Sequence, residues 1–288
     1  MTISHLVLML FTTGKPHGYN MISIMLKGGL CNAMFQIATI EYLGKKFNMD
    51  VCYTNVDTWL GEIMQYSNTY SHAEDYLKIF PNMDLYKNHN KRFIAKRKYE
   101  VLFRYNDCLP EDGDLFVGYF QSEKNFPDRK FIENLFTPSN FIKKEILKYD
   151  SLFHGVTCSI HVRRGDYLNW EEVHPVLDID YFTRAMLFLE SFNMNITKFL
   201  IFSDDIAWCK NNFIGDKFVF MNNIDYIDLF LMAKCSHHII SNSSFAWWGA
   251  WLQETDQKIT IAPEKWFGSS MPIDHGADII PRNRWAKM

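Results

Sequence analysis

Two adjacent arginines, Arg163 and Arg164, followed by Gly165, Asp166 and Tyr167, stand at the end of the apolar run Ser159-Ile160-His161-Val162. Neighbouring guanidinium groups repel and each needs an anionic partner, so a strand that ends this way suits a phosphate-bearing ligand. The planar fork of arginine matches phosphate oxygens through charge-assisted hydrogen bonds of about 1.5–3 kcal/mol net each. Two further polar clusters end apolar runs downstream, Ser203-Asp204-Asp205 and Ser241-Asn242-Ser243-Ser244. The serine hydroxyls, with the N–H groups that open a helix after them, are neutral donors for the same anion, and the aspartates can accept from a ribose or a base. Asp204, Asp205 and Ser243 are also the residue types that cap helices, and both readings stand. His161 reads as a buried, hydrogen-bonded histidine, with a catalytic base as the alternative.

The elements that must position these groups follow from periodicity. Apolar strand candidates at 156–162, 198–202, 217–221, 237–241 and 258–262 alternate with helix candidates at 179–192, 206–213, 226–235 and 245–252. Short, fully apolar strands alternating with helices predict a parallel sheet covered on both faces, whose ligands sit at the carboxyl ends of the strands. Nearer the N-terminus, a strand over 21–27 breaks at Gly28-Gly29 before a helical pattern carried by Leu30, Met34 and Ile37. A strand, glycine turn and helix in this order present N–H groups to an anion, although an α/β unit without a ligand has the same pattern. Neither GxGxxG nor GxxxxGK[ST] occurs there, which disfavours a dinucleotide fold or an NTPase loop. A second strand is expected at 51–54 and a third over 115–117, ending in Gly118-Tyr119-Phe120-Gln121-Ser122; a helix over 140–149 closes the first half. Residues 57–109 show no clear period, and the basic run 91–98 reads as a solvated face.

With 288 residues, 48% hydrophobic and 16% aromatic, the chain can bury a sizeable core. Its net charge of −3 argues against a nucleic-acid binder, so any basic site is local. The six cysteines form no CxxC pair and read as reduced core thiols, which points to a cytoplasmic protein. The apolar run 6–11 falls far short of the roughly 20 residues that span a bilayer. Peripheral membrane association is the most it allows, and residues 1–20 read as an extension. Asp112-Gly113-Asp114 and Asp178-Ile179-Asp180 have the letters of a DxD metal motif, yet the first sits in a turn and the second caps a helix, so no metal is expected.

Taken together, these motifs resemble the α-1,2-fucosyltransferases, glycosyltransferase family 11, within the wider GDP-fucose-dependent group. His161-Val162-Arg163-Arg164-Gly165-Asp166-Tyr167 matches the family's HxRRGDY, and Phe202-Ser203-Asp204-Asp205 its second motif. Asn242-Ser243-Ser244-Phe245-Ala246-Trp247-Trp248-Gly249 matches the third, and the segment from Gly28 to Gln36 resembles GGLGNQMFQ with Cys31 and Ala33 as departures. Gly118-Tyr119-Phe120-Gln121-Ser122 resembles the GYxQS of bacterial members. The resemblance implies an α/β protein of GT-B architecture, two Rossmann-like lobes facing a central cleft, with 21–150 the acceptor-side lobe and 151–288 the GDP-fucose-binding lobe. It implies inverting, metal-independent transfer of L-fucose from GDP-β-L-fucose, without a cofactor, to a galactose-terminated oligosaccharide. Gly29, Asn32, His161, Asn242, Ser243, Ser244 and Phe245 are then expected around the donor, with Asp204 or Asp205 near the nucleoside. Arg164 is expected on the β-phosphate, and Arg163 paired with a carboxylate. Asp166 is expected either to take the acceptor proton or to orient the arginines, and Glu171, Glu172 and His174 are further candidates for the base. A fucosyltransferase of another linkage or acceptor, or a noncatalytic nucleotide-sugar or glycan binder, is the alternative.

Overall fold

The computed structural model describes residues 20–66, 73–88, 91–101, 103, 105, 107–192, 194–272, 276, 278–281 and 283–288. The expected N-terminal extension therefore lies, but for Asn20, outside the described residues. β1 (Met21–Met25) pairs in parallel with β2 (Asp50–Tyr53) and β4 (Asp114–Gly118), and β4 with β3 (Arg97–Val101), giving the order β2-β1-β4-β3. A second parallel sheet has the order β10-β9-β8-β5-β6-β7, built from β5 (Val156–Val162), β6 (Ile196–Ser203), β7 (Phe218–Met221), β8 (His237–Ile239), β9 (Thr260–Ala262) and β10 (Ala286–Lys287). Their central strands are buried on both faces, as covered parallel strands must be. The all-parallel α/β fold is thus the one expected.

The larger sheet reverses its winding direction once and the smaller sheet twice. In the larger sheet β5 leads outward to β6 and β7, then the chain crosses back to place β8 on the other flank of β5. In the smaller sheet β1 has β2 on one side and β4 on the other. At such a reversal the loops leave in opposite directions and open a crevice at the carboxyl ends of the strands.

The aperiodic stretch contains α2 (Val56–Tyr66) and the edge strand β3, which takes the end of the basic run. Alternating partly buried and exposed residues in β3 leave charged side chains outward, which blunts an open edge. Helix α1 (Leu30–Phe47) is buried along twelve of its eighteen residues because it packs against β1 and β2 and against helices that include one from the second half of the chain. Phe35 on α1 meets Trp247 at 4.5 Å and Trp248 at 5.0 Å on α8 (Ser244–Trp251). Phe126 stacks on Trp248 at 5.6 Å, so residues from both sheets share one apolar core. The two tryptophans are therefore packing residues, as an apolar helix of this kind requires. Helix α3 (Arg129–Leu135) precedes α4 (Asn140–Leu147), expected to close the first half, and α4 packs on α7 (Asp225–Lys234) of the second. Asp178 caps α5 (Ile179–Glu190) by accepting from the Tyr181 N–H at 3.0 Å, and Asp112 accepts from the Met21 N–H at 3.1 Å. All six cysteines are free.

Candidate active site

A cleft of ≈ 660 Å³ lies at the carboxyl ends of both sheets. That size is typical of a pocket holding a small molecule or cofactor. The turns after β1 and β4 contribute Gly29, Tyr119 and Gln121, the first turn of α1 contributes Asn32, and the larger sheet contributes the ends of β5, β6, β7 and β8. The sequence-expected residues Gly29, Asn32, His161, Arg163, Asp166, Asp204, Asn242, Ser243, Ser244 and Phe245 all line it; Arg164 and Asp205 do not.

The arginine pair divides at the end of β5, where consecutive side chains leave on opposite faces of the sheet. Val162 is in register with Ser203, which brings Arg163 against the next residue of β6: its Nη1 lies 3.0 Å from Asp204 Oδ2. Its Nη2 donates to Asp166 Oδ1 at 2.6 Å, and its guanidinium lies 5.1 Å from the Tyr167 ring centroid. Arg164 turns the other way, donating from Nε to Asp205 Oδ2 at 3.1 Å and covering the Trp208 ring at 4.4 Å. Asp205 itself caps α6 (Ile206–Asn212), accepting from the Trp208 N–H at 3.0 Å. Asp204 also accepts from the Arg164 backbone N–H at 2.9 Å. Gly165 is required here, because a Cβ at that position would stand 2.4 Å from the Asp204 carboxylate.

His161 is buried and its Nδ1 shares a hydrogen bond with Ser241 Oγ at 2.7 Å. Burial, with the nearby Arg163 charge, pushes its pKa down to about 3, so it is neutral throughout the physiological range. The structural reading of His161 is the one found. Asn242 donates from Nδ2 to the carbonyls of Pro175 and Trp266, both at 3.1 Å, and so ties the segment after β9 to the loop after β5. Ser243 occupies the N-cap position of α8, but its side chain makes no capping hydrogen bond. Ser243 lines the cleft together with Ser244 and Phe245 of the helix's first turn, whose N–H groups have no partner within the helix.

On the smaller sheet Gly28 has φ = 71°, and a Cβ would stand 2.5 Å from Asn32 Nδ2. Its carbonyl accepts from Trp59 Nε1 at 2.7 Å, which fixes the start of α1 toward the cleft. Asn32 accepts from Gln121 Nε2 at 2.8 Å. Gln36 lies deeper and donates to the Lys27 and Gly118 carbonyls, joining the ends of β1 and β4. Cys31 lines the cleft with its thiol pKa pushed up by burial, whereas Ala33 is fully buried in the core. An amide at position 33 would enter apolar packing, so this departure from the motif takes no group away from the cleft.

Sequence reading missed Asp228, which lines the cleft and is buried in the first turn of α7. Its carboxylate accepts from Asn223 N at 3.1 Å and Nδ2 at 2.7 Å, and burial pushes its pKa up to about 6. The signal was present as one carboxylate inside the run Tyr226-Ile227-Asp228-Leu229-Phe230. Of the candidate bases after β5, His174 lines the cleft and Glu171 and Glu172 do not. Burial lowers the His174 pKa below its ordinary value of 6.5. Among the described residues no cluster of His, Cys, Asp and Glu is placed to hold a metal, and no helix is long and apolar enough to cross a membrane.

The profile of Glycosyl transferase family 11 matches residues 13–286. An α-1,2-colitosyltransferase of Escherichia coli is 32% identical over 266 residues, covering 84% of this chain and 91% of that protein. The E. coli O-antigen biosynthesis glycosyltransferase WbnK is 29% identical over 292 residues, covering 85% and 94%. Human galactoside α-(1,2)-fucosyltransferase 1 is 31% identical over 111 residues, covering 34% of this chain and 29% of its own. Among solved structures, the fucosyltransferase NodZ from Bradyrhizobium superposes with a TM-score of 0.55 at 12% identity, covering 82% and 92%. That is a likeness of fold alone. The match over nearly the whole length, on a chain whose family motifs meet in one cleft, makes this protein a member of glycosyl transferase family 11.

Proposed function

We propose that the protein transfers L-fucose from GDP-β-L-fucose to the 2-hydroxyl of a terminal galactoside with inversion, giving an α-1,2 linkage, between the two lobes of a GT-B architecture. The observation that carries the reading is Arg163, held by two carboxylates at the reversal point of the larger sheet and facing the cleft. In the reaction the bond from fucose C1 to the β-phosphate oxygen breaks, the galactoside oxygen bonds to C1, and its proton passes to a base. Negative charge grows on the departing phosphate, where a preorganised donor contributes most. Arg163 meets that charge, together with Ser243, Ser244 and the N–H groups opening α8. These donors hydrogen-bond the diphosphate, and the reading has no step that uses a divalent cation.

Asp166 and Asp204 act as clamps for Arg163, and Arg164 with Asp205 supports the fold beside them. Asp228, a buried acceptor on the β6–β7 side of Arg163, suits the N1–H and N2–H₂ edge of guanine. His174, neutral at physiological pH and within the cleft, takes the acceptor proton. A colitose donor is the second reading, favoured by the 32% identical relative named for that sugar.

The test is incubation with GDP-fucose or the corresponding colitose nucleotide and a panel of β-galactosides, with and without EDTA, followed by NMR of the product. GDP release that needs acceptor, survives chelator and yields an α-1,2 product supports the reading; the donor used at higher kcat/KM decides the sugar. Donor binding without turnover on any acceptor would make the protein a binder.

A further inference from the structure

Five aromatic rings line one wall of the cleft and touch in sequence from one sheet to the other. Phe103 stacks on Tyr119 with centroids 5.0 Å apart and planes 2° from parallel, and meets Phe267 at 4.6 Å. Phe267 meets His174 at 5.8 Å, and His174 stacks on Tyr167 at 4.5 Å and 14°. Tyr167 in turn carries the Arg163 guanidinium over its ring. All five side chains remain partly exposed, although the packed core lies next to them. His174 Nδ1 is buried without a hydrogen-bond partner among the described residues, so stacking holds the ring in place.

The position of this wall decides its occupant. Phe267 follows β9 and Tyr167 follows β5, whereas Asp204 and the residues from Asn222 to Asp228 follow β6 and β7. In the order β10-β9-β8-β5-β6-β7 the wall therefore stands across Arg163 from Asp228. A nucleotide whose base reaches Asp228 and whose diphosphate reaches Arg163 leaves the aromatic wall uncovered. The remaining reactant is a sugar. Galactose has an axial 4-hydroxyl, so its C3, C4 and C5 hydrogens gather on one face as an apolar patch. Aromatic rings in a wet cleft bind such a patch, and the bonded Gln121–Asn32 pair beside Tyr119 offers polar partners to the hydroxyls.

We propose that the Phe103–Tyr119–Phe267 wall is the acceptor subsite, which stacks the apolar face of a terminal β-galactoside and aims its hydroxyl at the donor carbon beside Arg163. The proposal rests on the transferase reading but can be tested apart from it. Saturation-transfer NMR with methyl β-galactoside, in the presence of unreactive GDP, reports acceptor binding without turnover. Phe103→Leu and Phe267→Leu keep apolar volume on each half and remove the flat face, and Phe103→Tyr restores it. The expected result is loss of saturation transfer in both leucine variants, recovery in Phe103→Tyr, and an acceptor KM raised by about tenfold or more with donor KM within about twofold. An unchanged acceptor KM, or an equal rise in donor KM, would overturn the wall while leaving the transferase reading intact. If the unaltered protein transfers no sugar yet shows galactoside saturation that the leucine variants lose, the wall stands and the transferase reading falls. GDP affinity equal to that of the unaltered protein identifies variants that have kept their fold.

Discussion

At the scale of single residues the tasks proposed for the two arginines are separable. Arg163→Ala should lower kcat by about 10²–10³-fold, the usual cost of removing a preorganised donor to developing charge, with protein stability little changed. Arg163→Lys should recover only part of this, because an ammonium cannot reproduce the fork that Asp166 and Asp204 hold. Arg164→Ala loses an ion pair and a stack on Trp208, so it should cost about 1 kcal/mol of stability and leave kcat within about tenfold. Equal losses of kcat in both variants would remove the distinction. Asp228 provides a pH readout. Its pKa is raised from 3.8 to about 6, so the folded protein holds a proton there that the unfolded chain has released. The empty protein is therefore progressively destabilised between about pH 4 and 6, by about 3 kcal/mol from two pH units, and the cost persists above that window. In the proposed reading guanine bonds to the ionised carboxylate, so affinity for GDP-fucose, whose diphosphate has no proton to lose in this range, should fall as pH drops through about 6. Asp228→Asn should flatten that dependence, weaken binding about 10- to 100-fold and stabilise the empty protein near neutrality. Calorimetric titration at pH 5 and 7.5 checks it; a pH-independent Kd in the unaltered protein would remove guanine recognition from Asp228.

At the scale of elements, strand ends place the chemistry and glycines allow the close approaches. Gly118 has φ = 150°, and a Cβ there would fall 1.5 Å from the Val101 carbonyl, so Gly118→Ala must part β4 from β3. The expected cost is about 2–4 kcal/mol in chemical denaturation, with kcat reduced because Tyr119 and Gln121 follow directly. Stability within about 0.5 kcal/mol of the unaltered protein would contradict this account. The polar ends of β5, β6 and β8 were legible because short apolar strands alternating with helices imply a parallel sheet, and parallel strands present their carboxyl ends together. The sequence points to Arg164 as the arginine at the phosphate, whereas Arg163 is the one that lines the cleft. Residues 163 and 164 leave the strand on opposite faces, and only the register with Asp204 and the N-cap at Asp205 selects between them. Strand β3 escaped notice because an edge strand carries charges that a buried one cannot, so Arg97-Lys98-Tyr99-Glu100 reads as solvated surface. Asp228 escaped because a buried carboxylate reveals its task only once the residues around it are assembled.

At the scale of the whole molecule, the two sheets are built from separate halves of the chain, yet the core between them is continuous. Phe35 and Phe126 from the first half meet Trp247 and Trp248 from the second with all four side chains fully buried. Around this contact Arg129 pairs with Glu254 at 2.9 Å and lies 4.1 Å from the Trp251 ring, and Arg284 bridges Glu254 and Glu123. Lobes joined by a small polar interface swing and unfold separately, whereas a large shared apolar core ties them together. The protein should therefore unfold in one calorimetric transition, with equal calorimetric and van't Hoff enthalpies, and GDP-fucose should move that single transition upward as a whole. Phe126→Ala should lower stability by about 3–5 kcal/mol and shift the same transition, although Phe126 lies in the half opposite Arg163. Two resolved transitions, only one of them moved by GDP-fucose, would show that the halves fold independently and that the cleft can open between them. A single transition would accord with a distance from the Phe103–Tyr119 face to Arg163 that is set by the packing of α1 against α8. Acceptor and donor would then meet in a geometry already present in the empty protein.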